Sequence, residues 1–168
     1  VILCPEGAVA AADLRGTATG TRQFDSLLSP LHLGTRAHAL VFAGGSGFGL
    51  AAADPVVAAL ARDGAGFDTG AAVVPLVPTA ILFDLGVGGR SEPPAPEIVE
   101  AALAAASQGP VATGNVGAGT GATVGKALGP AQAMKGGFGF ASLTAASGLT
   151  VAAAVAVNAF GDVRDPAT

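Results

Sequence analysis

The stretch AHALVFAGGSGFGLAAADPVVAALAR, residues 37–62, decides the fold class. Its first part, AHALVFAGG (37–45), is a short apolar run closed by glycine, the pattern of a buried strand. From Gly49 to Arg62 the period changes: Leu50, Ala53, Val57, Leu60 and Ala61 recur at helical spacing, and Asp63-Gly64 closes the segment. Proline is tolerated only near a helix start, so Pro55 puts that start near Ala52. A strand delivered through a glycine loop into a helix is the working unit of an α/β fold.

Other segments extend the pattern outward. VILC (1–4) reads as a second buried strand, and AAVVPLVPTAILF (71–83) as strand-like but interrupted by Pro75 and Pro78, hence partly edge or irregular. APEIVEAALAAASQG (95–109) is a helix with Pro96 and acidic residues early and Gly109 at its close. It is apolar nearly all round after Glu100, which predicts burial between layers. Two strands follow, at roughly 137–145 and 149–157, joined through Ser147-Gly148. The second contains TVAAAVAV, apolar on both faces and therefore expected to be covered on both. No linker, charge block or internal repeat divides the chain, so residues 1–168 are expected to form one layered α/β domain.

Composition narrows the function. Hydrophobic residues make up 51% and charged residues 12%, which argues against disorder. The net charge is −4 and the eight Lys and Arg are scattered, so no basic run is available to neutralise a nucleic-acid backbone. Cys4 is the single cysteine; no internal disulfide can form, and a reducing, cytoplasmic setting fits. His32 and His38 lack partners at ligand spacing, so no metal site is expected. The apolar run Val151–Val157 is too short to span a bilayer. The chain opens on VILC without a methionine, so the lack of a leader carries little weight.

A second glycine-rich segment, GNVGAGTGATVGK (114–126), ends in Lys126. Gly47, Gly49 and Ala52, and again Gly117, Gly119 and Ala122, fit the relaxed dinucleotide pattern G-x-G-x-x-A. In a chain this rich in Gly and Ala such matches arise by chance. A phosphate-binding P-loop would need Gly at 120 and a hydroxyl residue at 127, where Thr120 and Ala127 stand. A G-x-S-x-G elbow around Ser46 would need Gly at 48, where Phe48 stands. For Gly114 to Gly125 the structural alternative is a tight, buried, turn-rich segment where neighbouring backbone needs room.

Six segments taken in order do more. LCPEGAVAAADLRG, AGGSGFGLAAAD, VPTAILFDL, GNVGAGTGATVGK, MKGGFGFAS and VAVNAFGDV together resemble the DmpA-like aminopeptidase family over essentially the whole chain. That family includes L-aminopeptidase/D-esterases, β-peptidyl aminopeptidases and the nylon-oligomer hydrolase. The resemblance implies a four-layer αββα sandwich of the DmpA and ornithine-acetyltransferase type, similar to N-terminal-nucleophile hydrolases. It also implies a precursor that cuts itself before a Ser or Thr, whose freed α-amine then serves as base to its own hydroxyl. The nucleophile would lie beyond VNAFGDV, on a separate β-chain, with this chain as the α-chain. Thr168 is read as lying before the cut rather than at it.

By the same resemblance Asn158 matches an active-site asparagine acting as oxyanion donor, and Lys126 a lysine near the nucleophile. Phe83 stands where better-studied members carry a tyrosine. Gly44, Gly45 and Ser46 are expected to line the substrate cleft through backbone N–H groups, and Gly117 and Gly119 to pack against the processed site. Lys135 is expected to be structural. The implied activity is hydrolysis of small peptides, amides or esters with a free N-terminal amine, without a cofactor, by an oligomer of αβ units. An ornithine-acetyltransferase-like acyltransferase of the same architecture and a non-enzymatic nucleotide-binding module are the alternatives.

Overall fold

The computed structural model describes residues 1–29, 31–32, 34, 36–89 and 91–167. Along the chain run β1 (Ile2–Val9), β2 (Thr21–Arg22), α1 (Asp25–Leu28), β3 (Arg36–Ala43), α2 (Ala53–Arg62), β4 (Phe67–Asp68), β5 (Val73–Val74) and β6 (Thr79–Ile81). Next come α3 (Pro96–Ala104), β7 (Thr123–Val124), β8 (Met134–Lys135), β9 (Gly137–Thr144) and β10 (Thr150–Val157). The order in the largest sheet is β1-β3-β6-β2. Its central pair, β3 and β6, is parallel, with Val41 opposite Thr79 and Ala43 opposite Ile81. A parallel pair needs a crossover, and the connection from β3 to β6 contains α2.

Side-chain alternation along β3 positions the core. Ala39, Val41 and Ala43 meet Ala52, Ala53, Val56 and Leu60 at the start and along the inner face of α2, with Val77 and Val99 completing the cluster. Alanine at most of these contacts lets helix and sheet approach closely. Val56 and Val77 are fully buried, and burial of a side chain of this kind contributes roughly 1.5–3 kcal/mol. Leu40 and Phe42 alternate to the other face, where with Cys4, Phe24 and Leu27 they line a cavity of about 350 Å³. The prolines interrupt residues 71–83 as expected, leaving only β5 and β6 as strands there.

Three expectations need correction. VILC is not a buried strand: β1 runs on to Val9, and Ile2 and Leu3 are exposed. It lies at the sheet edge, where Pro5 costs no ladder bond, and its pairing with β3 shifts register between Leu3 and Ala8 around Gly7 at φ +77°. The helix α3 stops at Ala104, with Val99 its buried residue and Ile98 exposed, so it caps α2 rather than lying between layers. Finally, TVAAAVAV forms β10 but is not covered on both faces. It pairs with β9 alone, in register from Thr150 opposite Thr144 to Val157 opposite Gly137, and Val151 is 63% exposed. An apolar strand needs a neighbour on each face, and the described residues offer this hairpin little cover.

His38 on β3 is only 5% exposed, and its Nδ1 accepts the Leu76 N–H at 3.1 Å. That bond requires a lone pair on Nδ1. Burial, with the nearby Arg36 charge as a lesser cause, lowers the imidazole pKa below its ordinary value. The unfolded chain therefore takes up the proton first as pH falls, so the stability of the neutral, buried ring is present above about pH 6.5 and is lost below it. The thermal midpoint is expected to drop as pH falls below about 6.5, and His38→Leu should remove part of that slope. Parallel pH profiles for the two proteins would exclude His38 as the cause.

Candidate active site

The register of β9 and β10 determines where Asn158 emerges. Val157 lies opposite Gly137 at the base of the hairpin, and Gly136 passes so close that a Cβ there would come 2.5 Å from the Val157 carbonyl oxygen. Glycine at 136 is therefore required by approach. The same strip of backbone receives the second glycine loop: Gly114 exchanges hydrogen bonds with Phe138, and a Cβ on Gly119 would lie 2.3 Å from the Phe138 nitrogen. The loop then forms β7, pairs Thr123 with Lys135 on β8, and turns at Gly125 (φ +73°) into Lys126. The Gly125 N–H donates to the Gly161 carbonyl at 2.7 Å, tying this turn to the segment after Asn158.

Lys126, Asn158, Thr123 and the backbone of Phe83 converge as a result. Lys126 Nζ donates to Asn158 Oδ1 at 2.7 Å, to the Thr123 carbonyl at 2.7 Å and to Thr123 Oγ1 at 3.0 Å. An ammonium carries three protons, so all of them are committed. Asn158 Oδ1 also accepts the Thr123 N–H at 2.9 Å. The Lys126 ammonium and the Thr123 N–H are pure donors, which fixes the amide with its oxygen toward Lys126, where the Thr123 hydroxyl also lies at 3.4 Å. Asn158 Nδ2 donates to the Phe83 carbonyl at 2.5 Å. The second Nδ2 proton has no partner among the described residues and is available to an incoming oxygen.

Burial pushes the Lys126 ammonium below the usual lysine value. Among the described residues no carboxylate pairs with it; its acceptors are one amide, one carbonyl and one hydroxyl. A cation pulling on Asn158 Oδ1 polarises the amide and makes the Nδ2 protons stronger donors. The cluster can therefore stabilise negative charge developing near Asn158.

The remaining sequence-derived candidates sort by geometry. Phe83 joins the site through its carbonyl, while the residue is 63% exposed. The Gly45 N–H donates to Asp84 Oδ1 at 2.5 Å and the Ser46 N–H to the Leu82 carbonyl at 2.9 Å, so both amides are engaged within the fold. Ser46 itself adopts φ +53°. Gly44 closes on Gly49, where a Cβ would lie 1.9 Å from the Gly44 oxygen. Gly117 is exposed at φ +51°, and Gly119 is buried against β9. Lys135 Nζ binds the Thr120 and Ala122 carbonyls at 2.6 and 3.0 Å, holding the glycine loop from outside the Lys126 cluster. Thr168 lies outside the described residues. Among the described residues no group of His, Cys, Asp or Glu could hold a metal ion, and no helix is long and apolar enough to cross a membrane.

Sequence reading missed Thr123, which contacts both Lys126 and Asn158, and Asp84, which receives Gly45. The available signals were a hydroxyl residue three positions before Lys126 and a lone acid ending an apolar strand.

The model of Peptidase family S58 matches residues 1–165, and the chain belongs to that family, the DmpA family. It is 48% identical over its whole length to a Mycobacterium tuberculosis protein named an uncharacterized aminopeptidase, and 45% identical to one so named from Mycobacterium leprae. It covers 46% of each, so the chain spans about half the length of the curated relatives it matches.

Proposed function

We propose that this chain is part of a self-processed amidohydrolase that removes N-terminal residues from small peptides, or cleaves small amides and esters bearing a free amine. The observation that carries this reading is the Asn158 amide, oriented by Lys126 and Thr123 so that one Nδ2 proton remains unspent. In the proposed reaction the nucleophile is the N-terminal Ser or Thr of a second segment. Its hydroxyl proton passes to its own α-amine as the oxygen attacks the substrate carbonyl carbon. The resulting oxyanion takes the free Asn158 Nδ2 proton as a hydrogen bond. Collapse breaks the C–N bond, the leaving amine takes the proton back from the ammonium, and water hydrolyses the acyl-enzyme.

Two facts support a second segment. The relatives are about twice as long as this chain, and the β9–β10 hairpin exposes Leu143, Val151 and Val155. In this reading the second segment covers the hairpin, completes a four-layer αββα sandwich around the single domain formed here, and the αβ units assemble into an oligomer in the cytoplasm. Every role is filled by side chains, an α-amine and water. The test is expression of the full-length precursor containing this sequence, followed by intact-mass measurement. Two non-disulfide-linked chains, the shorter beginning with Ser or Thr, are the expected result; an active preparation of one unbroken polypeptide would refute self-cleavage.

A further inference from the structure

Two glycine loops, one after β3 and one before β7, flank a single carboxylate. A Cβ on Gly44 would lie 2.1 Å from Asp84 Oδ2, and a Cβ on Gly121 would lie 2.0 Å from the same atom. Neither glycine is required by its backbone: Gly121 sits at φ −96°, ψ −3°, open to any residue, and Gly44 is not among the positive-φ glycines. Their side chains are absent because Asp84 fills that space. Asp84 Oδ1 accepts the Gly45 N–H, which Gly45 presents from φ +88°.

The peptide that joins Phe83 to Asp84 carries the carbonyl that receives Asn158 Nδ2. A side chain wedged between two loops fixes the plane of that peptide, and thereby the direction in which the Asn158 amide is held. We propose that Asp84 is a positioning residue: it sets the spacing of the two glycine loops and, through the Phe83 carbonyl, the aim of Asn158. Its role in turnover rests on the amidohydrolase reading above; its role in geometry does not.

The test uses the full-length processed protein carrying Asp84→Ala, Asp84→Asn or Gly121→Ala. Asp84→Ala is expected to lower kcat about tenfold with KM changed less than about twofold, because misplacing a catalytic group acts on the transition state. Asp84→Asn retains an oxygen for the Gly45 N–H and should recover most of that loss. Gly121→Ala, whose methyl group would have Asp84 atoms as its three nearest neighbours, should copy Asp84→Ala, and the double variant should lose no more than either single one. In parallel, the side-chain amide resonances of Asn158 should shift in Asp84→Ala and Gly121→Ala and stay near their wild-type positions in Asp84→Asn. Unchanged kcat in Asp84→Ala, or Asp84→Asn as impaired as Asp84→Ala, would overturn the proposal. A wild-type protein that hydrolyses no amide would sink the amidohydrolase reading alone; the resonances then decide the role of Asp84, and unmoved signals refute it. Should Asp84→Ala fail to fold, Gly121→Ala carries the same comparison.

Discussion

Asn158→Asp is expected to lose about 10²–10³ in kcat while its thermal midpoint stays within a few degrees of wild type. Aspartate keeps an oxygen where Asn158 Oδ1 accepts from Lys126 and from the Thr123 N–H, so the packing of the glycine loop survives. What disappears is the Nδ2 donor, replaced by an oxygen that repels both the Phe83 carbonyl and a developing oxyanion. Asn158→Ala should lose as much activity and also some stability, since it strips acceptors from the part-buried donors of Thr123 and Lys126. Comparison of the two variants separates chemistry from packing. If Asn158→Asp turns over at the wild-type rate on several small amides, Asn158 is a turn residue and the oxyanion donor lies elsewhere.

Lys126→Met is the second variant with a large expected effect, a loss of about 10²-fold in kcat, the scale of a misplaced catalytic group. Methionine keeps much of the length of the side chain but removes the three donations to Thr123 and Asn158. The Asn158 amide oxygen then retains the Thr123 N–H and, at 3.4 Å, the Thr123 hydroxyl as donors, and its polarisation by a cation is gone. The pH dependence of the wild-type enzyme should report the same group. Because burial lowers the Lys126 pKa, kcat is expected to fall on the alkaline side before an ordinary lysine would titrate, near pH 10.4.

Stability should move the other way over that range. The unfolded chain holds the lysine proton more firmly than the folded one, so deprotonation of Lys126 favours the folded state as pH rises from its lowered pKa toward the ordinary value. An alkaline loss of activity without unfolding, absent in Lys126→Met, is the expected signature. An identical alkaline limb in both proteins would assign that limb to another group.

Much of the fold was readable from neighbours in the chain. The strand predicted at 37–45 is β3 at Arg36–Ala43, the helix predicted to start near Ala52 is α2 from Ala53, and the hairpin pairs the two predicted strands. These features follow from periods of two and 3.6 residues and from glycine or proline at their ends, all of which are local. The motif series that resembles the family also singled out Asn158 and Lys126, which the fold brings within 2.7 Å of each other. Local reading failed where burial depends on partners. An apolar period marks β10 and α3 as able to be covered, but only the tertiary structure shows how little of β10 this chain covers.

The site's geometry was decided entirely by the fold. Asn158 meets Thr123 across 35 positions and Phe83 across 75, and Gly45 meets Asp84 across 39. No spacing rule spans such distances. The sequence alone could establish that Gly44 and Gly121 are bare, an observation that fits a phosphate loop, a tight turn or a close packing equally well. Their Cβ positions fall on one carboxylate oxygen only after β6 and the two loops have packed together. The direction of the Asn158 amide likewise depends on two donors from residues 123–126 and an acceptor at Phe83, because a side-chain amide has no preferred orientation until the groups around it supply one.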